Sequence, residues 1–186
     1  VNVSDRISLI ELAAKENPRG TVVEIGVAGG HFTEQILATW PHCPKLFAID
    51  CWGPFEGNHI TDDEQEQRFK EVSAKFANHK NVQIVRQYSH VAAESVPDSS
   101  VHFIYIDGDH SHDAAALDLR AWFPKLRRKG IIAGHDYYDG CGVKSAVDEF
   151  AAEKRITVNA TTAEYSRASA VYGPGWEGPS FWFRRP

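Results

Sequence analysis

Four acidic side chains in this 186-residue sequence close short β-branched runs: Glu24 in TVVEI, Asp50 after KLFAI, Asp107 after VHFIYI, and Asp136, beside His135, after IIAG. A structural protein has no need to gather that much charge at strand ends. Carboxylates placed so can accept hydrogen bonds from ligand hydroxyls, hold a cation, or fix the tautomer of a neighbouring imidazole. His110 and His135 sit next to these acids in sequence, and a histidine beside a carboxylate is tuned as a base near neutral pH. His112 reads as an ordinary surface histidine, Asp109 as a cap for the helix that follows, and Asp113 as first-turn helix charge.

The turn VEIGVAGG carries glycines at 26, 29 and 30, which let a backbone bend tightly and approach a ligand. It is not the G-x-G-x-x-G turn of a pyrophosphate site, because the second and third glycine positions hold Ala28 and His31. An acid so close to the glycines repels a pyrophosphate and suits a ligand bearing ammonium and sulfonium charges. Asp50, at the end of the second strand, stands where a carboxylate accepts both hydroxyls of a ribose.

The elements that must position these groups alternate, strand with helix. Residues 7–16 form an opening helix ended by Pro18-Arg19-Gly20. Strands are expected over 21–25, 45–49, 82–85, 101–106 and 131–133, and closing strands over 156–158 and 181–183. Helices are expected over 32–40, from Thr61 (with Glu64 three residues on, a capping box), after Asp107 to about Leu126, and around Val143, Val147 and Phe150. Together these give an α/β, doubly wound, mostly parallel seven-stranded Rossmann-like sheet with helices on both faces and a C-terminal antiparallel strand. In such sheets ligands bind beyond the carboxyl ends of the strands.

Bulk composition narrows the partners. A formal charge of -5 argues against nonspecific nucleic-acid binding. The one basic run, residues 125–129, reads as a solvated helix C-terminus. No window approaches the roughly 18 apolar residues of a membrane span, and there is no signal-peptide layout. Three cysteines without CxxC spacing point to a reducing cytoplasm rather than a disulfide framework. The sequence contains no methionine even at position 1, so an upstream segment is expected.

With these residues in view, the chain resembles class I S-adenosylmethionine-dependent methyltransferases. VEIGVAGG is similar to that family's first motif, AID at 48–50 to the ribose-binding motif, and QYSH at 87–90 to the loop beside the adenine. IYIDGDHSHD with RKGIIAGHDYY resembles the small-molecule O-methyltransferase branch, which includes catechol and macrolide-sugar enzymes. The resemblance implies one domain over 1–186, with an N-terminal helix in 1–20, a cofactor-binding core in 21–150, and closing strands and loop in 151–186. It implies that Glu24, Gly26 and Gly29 line the methionine part of S-adenosylmethionine, Asp50 the ribose and Ser89 the adenine. Cys51 and Trp52 would add an apolar wall, and Asp107 belongs to the same site. In the metal-dependent branch, Asp107, His135 and Asp136 match the ligands of a magnesium ion. A histidine stands here where relatives with a paired acid have aspartate, which opens the site to manganese, iron or zinc.

Methyl transfer needs alignment and an available nucleophile. The expectation is therefore a divalent cation on Asp107, His135 and Asp136, with His110 the first candidate for general base and His135 the second. The acceptor is expected to be a small molecule such as a sugar or phenol, with no nucleic acid and no membrane, and a homo-oligomer is compatible with this. Residues 53–61 and 165–180, the latter with Tyr172 and Trp176, are expected to cover it. Three rivals stand: a non-haem metal oxygenase or hydroxylase on the same fold, a metal-dependent hydrolase resting on the Asp-Gly-Asp-His string, and a nucleoside-binding module without catalysis.

Overall fold

The computed structural model describes residues 3–53, 60–162 and 178–186. The elements follow in the order α1 (Arg6–Glu16), β1 (Thr21–Ile25), α2 (His31–Thr39), β2 (Lys45–Asp50), α3 (Asp62–Phe76), β3 (Val82–Arg86), α4 (Ser89–Ala93), β4 (Val101–Ile106), α5 (His112–Trp122), β5 (Leu126–Gly134), α6 (Gly142–Lys154), β6 (Asn159–Ala160) and β7 (Phe181–Arg184). The sheet order is β3-β2-β1-β4-β5-β7-β6. The first five strands in chain order run parallel, and β7 is antiparallel to both β5 and β6. Strand order reverses between β1 and β4, which opens a crevice at their carboxyl ends.

Alternation along the strands assigns the two faces. Val22, Leu46, Phe103 and Tyr105 pack with Leu9 and Ile10 of α1 and with Phe32 and Ile36 of α2, while Ala48 packs with Val72 and Phe76 of α3. Val23, Ile25, Ile49, Ile104 and Ile132 face the other way, onto Ala92 and Ala93 of α4, Leu119 and Trp122 of α5, and Val147 and Phe150 of α6. Glu24 has the parity of Val22 and so points toward α2 from inside the sheet.

Local chemistry fixes the helix starts. The side chain of Asp5 accepts a hydrogen bond from Ser8 N at 2.8 Å and caps α1. Thr61 and Glu64 form the capping box of α3: Glu64 N donates to Thr61 Oγ1 at 3.3 Å, and Thr61 N donates to Glu64 Oε2 at 2.9 Å. Thr61→Ala is expected to lower stability by about 1 kcal/mol, read as a shift of the urea midpoint at unchanged slope.

Three expectations are corrected. The fifth helix does not reach residue 126; it stops at Trp122, because Pro124 cannot continue it. The basic run is therefore no helix terminus. Leu126 opens β5 opposite Val101, pairing resumes with Ile131 opposite Phe103, and residues 127–130 bulge between. Gly130 lies within β5, where a Cβ would come within 2.8 Å of Leu126 Cδ1. Residues 156–158 are not a strand. Arg155 in the left-handed region ends α6, Ile156 and Val158 pack on the core, and the closing strand is Asn159–Ala160. Finally, 87–90 is not wholly a loop, since α4 begins at Ser89. The expected covering segments lie largely outside the described residues, including Tyr172 and Trp176.

Candidate active site

β1 and β4 end so close together that only glycine fits between them. Asp107 N donates to Ile25 O at 2.8 Å, and a Cβ on Gly26, whose φ is +84°, would lie 1.9 Å from Asp107 O. Gly26 thus serves the approach of two strand ends, which the sequence reading had assigned to the approach of a ligand. Asp50 then shapes the turn. Its Oδ2 accepts from Val27 N at 3.0 Å and Ala28 N at 2.8 Å, and its Oδ1 accepts from Trp52 N at 2.8 Å. Two carboxylate oxygens offer about four lone-pair positions, so acceptor capacity is left over.

Beyond these strand ends lies a cleft of about 320 Å³, lined mostly by apolar groups. Ile25, Gly26 and Ala28 of the first turn border it, with Asp50 and Cys51 after β2 and Asp107 to Asp109 after β4. Gln65 and Arg68 come from α3, Gln87 to His90 from the start of α4, and Ala114, Leu117 and Asp118 from α5. Of the expected cofactor residues, Gly26, Asp50, Cys51, Ser89 and Asp107 border this cleft. Glu24, Gly29 and Trp52 do not. Trp52 is fully buried against Val27, Ala48 and Val72, its indole N–H donating to Ala28 O at 3.0 Å. It braces the turn from behind, and its Cys51 neighbour forms the wall.

Glu24 is buried beneath the rim, accepting from Thr33 Oγ1 at 2.6 Å through Oε2, while its Oε1 has no hydrogen-bond partner among the described residues. Burial pushes its carboxyl up to about 8; the Thr33 hydrogen bond opposes this, and Asp107 and Asp50 add to it.

At the β4–β5 end of the cleft the acids and histidines converge. His110 Nε2 and His135 Nδ1 each lie 3.2 Å from Asp136 Oδ2, and 3.8 Å and 3.9 Å from Asp107 Oδ1. Ligand atoms of Asp107, His110 and Asp136 all fall within 4.8 Å of one another. His110 thus stands in this group in place of the expected His135, whose Nδ1 lies beside the same two carboxylates. The two histidines differ in access: the His110 side chain is 54% exposed and that of His135 7%. His135 Nε2 is buried without a partner among the described residues, and Gly178 closes over it, leaving a would-be Cβ only 3.3 Å away. Burial raises the Asp107 carboxyl, against the pull of His135 and Arg6. Burial also lifts Asp136, but hydrogen bonding and charge from His135 outweigh it and leave that carboxyl below its ordinary value. His112 lies apart, bridging Asp113 at 2.9 Å and Glu149 at 3.0 Å, as a surface residue would.

Sequence reasoning missed two residues. Arg6 of α1 is buried, stacks over Phe32, and brings Nη1 to 3.4 Å from Asp107 Oδ2. Nothing local to α1 signals a partner 101 residues away. Asp118 is buried at the cleft wall, and its signal was present: an acid within the apolar stripe Ala115, Leu119, Trp122 of α5. Burial raises its carboxyl to about 6, with the Ser89 hydrogen bond opposing.

The methyltransferase-domain family profile matches residues 23–137, more than half of the chain. An uncharacterized protein of Sinorhizobium fredii is 24% identical over 102 residues, 55% of this chain and 11% of that protein. An uncharacterized protein of Acanthamoeba polyphaga mimivirus is 30% identical over 81 residues, 40% of this chain and 36% of that one. Neither alignment spans as much as half of the curated relative. Among solved structures, a candidate caffeoyl-CoA O-methyltransferase from Staphylococcus aureus is similar at a TM-score of 0.67 and 15% identity, over 99% of this chain and 86% of that one. An O-methyltransferase from Bacillus cereus in complex with SAH gives 0.65 and 15%, over 95% and 79%. An rRNA methylase from Streptococcus thermophilus gives 0.64 and 15%, over 100% and 99%. At such identities these likenesses establish the fold. The family match and the fold agree: the chain belongs to the methyltransferase-domain family, built on the class I S-adenosylmethionine-dependent methyltransferase fold.

Proposed function

We propose that this protein transfers a methyl group from S-adenosylmethionine to a hydroxyl of a small molecule. One observation carries the reading: Asp107 belongs both to the cleft and to the cluster of His110, His135 and Asp136. The site for a methyl donor and a site for proton removal therefore meet at one residue.

The cleft fits the donor. Its walls are apolar where a nucleoside would lie, and Asp50 retains acceptor capacity for a ribose hydroxyl. Gly26 borders the methionine end. Glu24 acts from beneath, holding Thr33, and Gly29 stands off the cleft. S-adenosylmethionine, when bound, supplies an electrophilic methyl on a sulfonium; the chain aligns the acceptor and frees its oxygen.

For proton removal, His110 is the base. Its Nε2 lies 3.2 Å from Asp136 Oδ2; a proton on Nε2 would face that carboxylate and leave Nδ1 to take a hydroxyl proton. His135 is too buried to reach an acceptor and serves by donating from Nδ1 to the same carboxylate. The separations of 3.2–3.9 Å among these nitrogens and oxygens also suit a divalent cation held by Asp107, His110, His135 and Asp136. Such an ion would lower the pKa of an acceptor hydroxyl. Two imidazoles favour manganese, iron, cobalt or zinc over magnesium.

The reading is tested by thermal unfolding with S-adenosylhomocysteine, with and without a divalent metal or a chelator. At ~100 times its dissociation constant the ligand should add about 2.7 kcal/mol, a rise of roughly 5–10 °C for a domain of this size. No shift at millimolar ligand would remove the donor from the proposal. A shift unaffected by chelator would leave His110 without a metal.

A further inference from the structure

We propose that Asp118 selects the base of the methyl donor, by accepting a hydrogen bond from an exocyclic amino group on a purine. The inference rests on the cleft being the donor site, and it assigns a role that the sequence reading gave to Ser89.

Ser89 is already committed. Its hydroxyl donates to Asp118 Oδ1 at 2.5 Å and accepts from Trp122 Nε1 at 2.8 Å. A serine has one proton, and here it is spent on the carboxylate. The Ser89 hydroxyl therefore has no proton left for the base. It acts as a fastener, and fully buried Trp122 anchors it from the core.

Asp118 is what the fastener holds. It lies on the α5 side of the cleft among Ala114 and Leu117, across from Ile49 and Cys51, and only 7% of it is exposed. With Oδ1 fixed by Ser89, the second oxygen is turned to the cleft floor, 3.7 Å from where a Cβ on Gly108 would stand. No lysine or arginine forms an ion pair with it among the described residues; the only cationic influence on it is His90. A desolvated carboxylate in an apolar wall is a costly acceptor until something donates to it. Because its orientation is fixed before the ligand arrives, it can discriminate between ligand groups. Asp50, at the end of β2, places a ribose midway along the cleft, so the group that reaches α5 is the edge of the base. An adenine presents an N–H donor there, and a hypoxanthine presents a carbonyl oxygen that a carboxylate repels.

The test is calorimetric titration of the full chain with S-adenosylhomocysteine, S-inosylhomocysteine and the analogue whose purine carries no 6-substituent. Failure of S-adenosylhomocysteine itself to bind would strike the donor reading, separately from this proposal. Given that binding, wild type should prefer the adenosyl over the inosyl ligand by about 100-fold or more, the scale set by buried polar mismatches. Asp118→Asn can donate to a carbonyl, so it should narrow that preference to less than about tenfold, by tightening inosyl as well as loosening adenosyl binding. A variant that keeps the full preference overturns the proposal. Should D118N fail to fold, wild type alone decides: deleting the 6-amino group is expected to weaken binding about tenfold or more, and equal affinity for the two purines overturns the proposal.

Discussion

Asp136→Asn is expected to lower methyl transfer by about 10²–10⁴-fold, and His110→Ala by a similar factor, with the double variant little worse than either alone. The reason is that both act through one contact. His110 Nε2 lies 3.2 Å from Asp136 Oδ2, so the carboxylate sets the tautomer in which Nδ1 is free to accept a proton. Asparagine presents either an amide oxygen without charge or an amide N–H that meets the imidazole donor with another donor. Neither residue borders the cleft, so affinity for S-adenosylhomocysteine should stay within about threefold of wild type, the loss falling on kcat. The measurement is S-adenosylhomocysteine formation against phenolic and sugar acceptors, alongside a binding titration. Treating wild type with a chelator separates the two chemistries the cluster supports. A loss as large as that of Asp136→Asn points to a bound cation, whereas retained turnover with a pH profile that vanishes in His110→Ala points to the imidazole alone. Strictly additive losses in the double variant would show that the two side chains do not act as a unit.

Most of this arrangement was legible in the sequence, for identifiable reasons. The strand-end acids could be placed because each follows a β-branched run, and in a parallel sheet a run's end fixes which rim its last residue occupies. The start of α3 was legible from Thr61 and Glu64, whose mutual hydrogen bonds depend on a spacing of three and on nothing distant. What escaped was set by tertiary contact. Arg6 reaches Asp107 from the other end of the domain. Trp52 reads as a ligand-facing aromatic until its φ of 40° turns the chain and sends the indole inward. The five residues of α4 are too short for a periodic pattern. Pro124 is the opposite case, a local signal that the periodicity of the preceding helix had masked. The acceptor was not legible at all. The same fold carries an rRNA methylase and an O-methyltransferase, so specificity resides in side chains that frame cannot specify.

The other large effect concerns stability rather than turnover, and it follows from the carboxyl beneath the rim. Glu24 has its pKa raised from 4.5 to about 8, chiefly by burial. A group whose folded pKa exceeds its unfolded one favours folding at low pH, because the native state holds the proton more tightly. That contribution is whole below pH 4.5, falls away as pH rises toward 8, and is gone above it. At about 1.4 kcal/mol per pH unit, the loss amounts to roughly 3–5 kcal/mol, or on the order of 10 °C in melting temperature. Asp118 contributes in the same direction, but its raised carboxyl titrates near 6; the buried Asp107 carboxyl is raised as well, so it is the difference between wild type and Glu24→Gln from pH 6.5 to 9, where about 2 kcal/mol of the loss falls, that isolates Glu24. Glu24→Gln keeps an acceptor for Thr33 Oγ1 and has no proton to lose. The variant should therefore show a shallower fall in melting temperature over that range, lying below wild type at pH 6.5, where an amide N–H replaces the protonated oxygen, and above it at pH 9. Two curves that fall in parallel would show that Glu24 is not the group that titrates. A bound S-adenosylmethionine brings an ammonium and a sulfonium to the cleft above this carboxyl, and positive charge nearby favours its ionised form. The alkaline loss should then shrink in the complex, so the same scan with saturating donor distinguishes a buried acid coupled to the cleft from one that is merely buried.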